Sequence, residues 1–136
     1  MVADARAALD QAIETIESGY EFMLAYAAQG REKEDSGPGP SIRATLTAFE
    51  AALGTLCDRI QAHAAGSPAG AAALAEFLTV ARPDAAAARA TIRLALAAPS
   101  ISSQLIDNLN ASIHIRALLT DIFLVDEALK SFARRP

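Results

Sequence analysis

The chain has little of what metal sites, covalent catalysis and extracellular frameworks are built from. Cys57 is the one cysteine in 136 residues, so no intrachain disulfide can form. There are two histidines and no tryptophan. Ile60 stands three residues before His63 and Ala111 three before His114, so the Glu-x-x-His pairs of di-iron bundles are absent. His-x-x-x-His, a glycine-rich phosphate loop and Gly-x-Ser-x-Gly are missing as well. The chain is therefore expected to hold no metal and to need no cofactor.

Positive charge is also scarce. Lys and Arg number 12 against 16 Asp and Glu, giving a net charge of −4, where a general nucleic-acid binder would show a basic face. The one basic cluster, Lys130, Arg134 and Arg135, falls at the end of the last helical stretch, where cations complement the helix dipole. No apolar run reaches the roughly 18 residues of a membrane span. The start of the chain carries Asp4 and Arg6 where a signal peptide would have its apolar core. A soluble cytoplasmic protein with no nucleic-acid or membrane partner is expected.

What remains is a helical composition. Hydrophobic residues make up 52%, much of it alanine and leucine, while β-branched residues are scattered, so an all-α fold in one domain, 1–136, follows. Leu9, Ile13, Ile16, Tyr20, Met23 and Ala27 recur at four and three, the spacing of a bundle seam, in a helix predicted from about Asp4 to Gln29 with Gly30 as its stop. Asp10, Glu14, Glu17 and Glu21 line its flank. Arg31 to Pro40 is charged and then Gly/Pro-rich, and is predicted to be a flexible loop. Ser41 should cap a second helix with the stripe Ile42, Leu46, Phe49, Leu53, Leu56 and Ile60. Ser67-Pro68 should open a third, interrupted near Pro83, and Ser100 should cap the last.

The C-terminal stretch changes face. Ile101, Leu105, Leu109 and Ile113 follow at i+4 with Ile106 beside them, whereas Ile115, Leu118, Leu119, Ile122, Val125, Leu129 and Phe132 form a displaced stripe. The change falls among Asn108, Asn110 and Ser112, residue types that compete with helical hydrogen bonding. The expected architecture is an up-and-down helical bundle of four helical segments, two of them broken, near Pro83 and near Asn110.

With no recognisable reaction centre, the expected function is non-catalytic. The chain should act through protein–protein contacts as an accessory, regulatory or assembly subunit, with itself as partner in a homodimer. Its interface would use the off-seam pair Phe22 and Tyr26, beside Gly19 and Thr15, or the displaced stripe with Leu118, Ile122 and Val125. The alternative is a small-molecule- or metal-binding bundle with a pocket at Asn110, His114 and Asp121, where His114 and Asp121 could exchange a proton. A third reading rests on His63-Ala64-Ala65-Gly66-Ser67, which resembles the phosphorylated segment of histidine phosphotransfer domains. That resemblance implies a small helical bundle with His63 as phosphoryl acceptor. The family carries a lysine shortly after the histidine, and here Ala65 stands in its place.

Overall fold

Ser41 is extended, and its Oγ accepts a hydrogen bond from Ala44 N at 3.0 Å, which satisfies one of the free donors at the start of a helix. The helix it caps is the second of five: α1 (Val2–Ala27), α2 (Ile42–Ala64), α3 (Ala71–Leu96), α4 (Ser103–Ala111) and α5 (Ile113–Ala133). This computed structural model describes residues 2–35, 37–66 and 68–133, and no strand occurs among them.

Sequence spacing becomes burial in a direct way. Leu9, Ile16 and Met23 of α1 and Leu46 and Phe49 of α2 are fully buried. Each such side chain contributes about 1.5–3 kcal/mol over leaving it in water. Where α1 crosses α2 a glycine is required, because a Cβ on Gly19 would stand 2.8 Å from Cδ2 of the buried Phe49. Gly30, at φ +66, lies just past the end of α1, a backbone state that costs glycine little.

The interruption expected near Pro83 is not there. α3 runs through it without a break, with Pro83 on the exposed side and Ala81, Ala85, Ala88 and Ile92 buried opposite. One lost backbone bond in an alanine-rich helix is offset by that packing and by high helix propensity on both sides. The start of α3 also lies later than Pro68. Gly70, at φ +72, precedes the first turn, and its carbonyl accepts from Leu74 N at 2.8 Å; Ser67, expected as the cap, lies outside the described residues.

Two serines exchange roles at the next boundary. Ser102, not Ser100, caps α4 by accepting from Leu105 N at 3.0 Å. Ser112, with ψ 131, stands outside both α4 and α5. Its Oγ accepts from His114 N at 3.2 Å and its carbonyl from Arg116 N, so it opens α5. Ile113, placed in the first stripe by spacing alone, is 72% exposed as a consequence.

α1 packs against α2 and α4, and α3 against α2 and α5, so α4 and α5 together form the side of the bundle that joins α3 back to α1. The loop after α1 is tied to that side. Arg31 N donates to Ser103 Oγ and Ser103 N returns a bond to the Arg31 carbonyl, both at 2.8 Å. Glu34 accepts from Arg43 Nη2 at 2.7 Å and from Ile101 N at 2.8 Å, while Arg43 donates to the carbonyls of Leu96 and Ala98. The first half of the segment predicted to be flexible is thus hydrogen-bonded to the turn between α3 and α4.

Candidate functional site

The five residues expected at a partner interface do not form one surface. Leu118, Ile122 and Val125 are 0%, 1% and 2% exposed and belong to the core, because α5 turns this stripe inward against α3. Tyr26 is buried too, with its hydroxyl donating to the Ile101 carbonyl and its own carbonyl accepting from Ser103 Oγ at 2.7 Å. Phe22 is half-buried. It lines a groove with Gln11, Glu14, Thr15, Ser18, Gly19, Thr45 and Ala48, whose floor at Gly19 is closed by Phe49 of the same chain.

The expected ligand pocket is likewise dispersed. Asn110 is buried against α1, where its Nδ2 donates to the Met23 carbonyl at 3.2 Å and its Oδ1 has no partner. His114 is exposed on the first turn of α5. Asp121 faces α3. The three side chains look toward different neighbours rather than into one cavity.

His63 sits in the last turn of α2, half-buried, with Nδ1 enclosed and unpartnered. Burial holds its pKa below the ordinary histidine value, the Arg6 charge adds to this, and Asp10 opposes it. A phosphoryl acceptor needs a nitrogen open to its donor; Nδ1 here is closed, which leaves Nε2 alone for that role. Burial pushes the Cys57 thiol up, with Arg82 opposing, which leaves a small apolar side chain rather than a nucleophile.

Two features went unseen in the sequence. Asp84 of α3 meets Asp121 of α5 carboxyl to carboxyl. Burial, and then the hydrogen bond and charge of Asp84, push Asp121 up to about 7. Two carboxyls can hydrogen-bond only if one keeps its proton, and the otherwise partnerless Asp121 Oδ2 is the atom enclosed here. No group of three or more His, Cys, Asp or Glu able to hold a metal ion occurs among the described residues.

The second feature is a face. The core seam of α3 is Leu74, Leu78, Ala81, Ala85, Ala88, Ile92 and Ala95. On the other side of the same helix Glu76, Val80, Pro83, Ala87, Ala90, Leu94 and Ala97 repeat the same alternation of four and three. Val80 is 53% and Leu94 76% exposed. The arginines of α3 are drawn off this face toward α2, Arg82 to Asp58 at 2.9 Å, Arg89 and Arg93 to Glu50 at 2.8 and 2.7 Å. Gly70 against Phe132 and Asp84 against Asp121 fix the antiparallel register of α3 on α5. That register puts Val80 level with Leu124, Ala87 level with Ala117, and Leu94 beside the start of α5, where Ile113 is exposed. Leu124 is 60% exposed, so two adjoining helices share an apolar outer face. The same 4/3 count that finds core seams finds this one.

Comparison with family models, with curated proteins and with solved structures finds no significant match. The fold is an all-helical bundle with exposed apolar residues on the outer side of α3 and α5, and no helix among the described residues is long and apolar enough to cross a membrane.

Proposed function

We propose that this protein is a non-catalytic helical bundle that works by protein–protein contact, as an accessory, regulatory or assembly subunit in the cytoplasm. The supporting observation is the outer face of α3 and α5, where Val80, Leu94, Ile113 and Leu124 are exposed. One formal charge, Glu76, lies in its α3 seam. Isolated apolar residues are ordinary on any surface, but a run of them along two adjoining helices is what a contact site presents. Rigid backing comes from the core seam of α3, directly behind it.

A photoreactive benzophenone side chain at position 94, in the full chain inside its native cells, tests this. A discrete protein adduct is expected there and none with the same group at Glu17, on the acidic flank of α1. Absence of any adduct from positions 80, 94 and 124 alike would overturn the proposal.

A further inference from the structure

We infer that Ser112 is a hinge across which α5 passes to a second copy of this chain, the two copies exchanging their last helices. This goes beyond the contact function above and does not use the outer face of α3. One residue separates α4 from α5. Its φ of −59 is already helical, and only ψ, at 131, departs from the helix value of about −42. Rotation about that single bond joins the two into one helix from Ser103 to Ala133, about 46 Å long. In the straight form the amides from Ser112 to Ile115 bond to carbonyls four residues back. In the bent form Ser112 N reaches the Leu109 carbonyl instead, and His114 N turns to Ser112 Oγ.

The side chains around the hinge are patterned for the straight form as well as the bent one. At about 100° per residue, Ser103, Ile106, Leu109 and Asn110 mark the arc that α4 buries, and a continuous helix puts Ile113 inside it, about 20° from Ile106. In the bent form Ile113 is 72% exposed. The buried stripe of α5, Ile115, Leu118, Leu119, Ile122, Val125 and Leu129, lies roughly 150° round from Ile106 on the same continuous helix. A straight helix cannot lay both stripes on one bundle, so the stripe of α5 meets a second body. The groove that fits it is the one on α3 that the other copy has vacated.

The bonds that hold α4 all lie before the hinge. The Tyr26 hydroxyl donates to the Ile101 carbonyl, Ser103 Oγ to the Tyr26 carbonyl and Asn110 Nδ2 to the Met23 carbonyl. Ser103 and Asn110, seven residues apart, thus meet carbonyls only three residues apart on α1, so α4 crosses α1 obliquely. Beyond the bend, Asp126 reaches Arg6 and α5 runs back along α3. Straightening Ser112 continues the oblique line of α4 and lifts α5 off its own α3. Phe132 against Gly70, Asp121 against Asp84 and Asp126 against Arg6 are then remade with the same residues of the other copy. Exchange of one identical element keeps the core contacts and is a low-cost route to a closed dimer.

Light scattering on the purified full chain, refolded from urea at about 200 µM, reads the outcome. A monomer and a species of twice the 14.2 kDa mass are expected, slow to interconvert because α5 has to leave the core to pass between them. Ser112→Ala removes the cap of α5 and raises helix propensity at the hinge in both copies, and should tighten the dimer about 100-fold. Ile113→Ser, at a position exposed in the bent form, should weaken it about tenfold without moving the monomer's melt. Two glycines inserted between Ala111 and Ser112 keep the cap, uncouple the helices and should leave monomer alone. Val80→Cys/Leu124→Cys with a short bismaleimide reads the exchange directly, since these positions lie level across α3 and α5. On a denaturing gel the link should close within one chain for the monomer and between chains for the dimer. Wild-type and Ser112→Ala proteins that both stay at monomer mass, or a dimer whose link stays within one chain, would overturn the inference. Neither result touches the position-94 adduct, which tests the contact function by itself.

Discussion

Asp84 on α3 and Asp121 on α5 meet carboxyl to carboxyl across the contact between the two helices. With its pKa at about 7 against an ordinary value near 4, Asp121 keeps its proton in the folded chain and releases it on unfolding. The sign follows from proton counts. Below about pH 4 both states are protonated and this stabilisation is fully present; as pH rises toward 7 the unfolded chain binds fewer protons, so stability falls, and it levels off above that. Asp121 is half-buried, and with solvent screening the loss is on the order of 2 kcal/mol. Urea melts from pH 4.5 to 8 should show this decline, and Asp121→Asn should flatten it and raise stability at pH 8.

The sequence does not pair these two carboxylates, and the reason is geometric. Spacing sets Asp121 with His114 on its own helix and does not single out Asp84; 37 residues separate the two aspartates and only the register of α3 on α5 brings them together. The stripes of α1, α2 and α5 were legible because burial and helical period coincide there. The polar cluster from Asn108 to Ser112 marked the region where α4 gives way to α5 at Ser112. Leu118, Ile122 and Val125 were misassigned because a displaced stripe shows that a helix changes neighbour, not whether that neighbour belongs to the same chain. Hydropathy does not separate the outer seam of α3 from a solvated helix surface, because only Val80 and Leu94 among its seven residues are large and apolar.

Glu34 holds the loop after α1 together with Arg31, and its pKa lies below the usual carboxylate value. The side-chain bond from Arg43 is the chief cause, burial opposes it, and the bond from Ile101 N adds to it. A depressed pKa stabilises the fold above the ordinary glutamate range and is lost as pH falls through the folded value, so this contact loosens in acid while the Asp84–Asp121 pair tightens. Glu34→Gln should cost about 1–2 kcal/mol at pH 7 and speed proteolysis within residues 35–40. Cleavage confined to the chain termini in both proteins would show that the staple does not restrain the loop.

Gly19 and Phe49 set how closely α1 lies on α2. A methyl group at Gly19 would meet the Phe49 ring at 2.8 Å, and that ring is fully buried. Gly19→Ala gains helix propensity of about 1 kcal/mol, yet overpacking at a closed contact costs about 1–3 kcal/mol, so a net loss is expected. Phe49→Leu should lower stability alone and relieve the Gly19→Ala penalty in combination. A double-mutant cycle on urea midpoints measures that coupling, and strict additivity would mean that the two helices simply move apart.

Leu118 and Ile122 separate a core role from a contact role most sharply. If they lined an interface, serine at both would halve the particle mass and leave each subunit folded. They are 0% and 1% exposed within one chain, inside the seam that α5 turns toward α3. Each substitution removes a buried branched side chain and leaves a hydroxyl without a partner, a loss of about 3–5 kcal/mol. Together they approach the whole stability of a domain this size, so the double variant should lack a cooperative melt and the near-ultraviolet signal of packed tyrosines. Leu94→Glu, 76% exposed on the outer seam, should keep both. The opposite pairing, with folded monomers from the serine variant and a collapsed Leu94→Glu protein, would require α3 and α5 to face the other way.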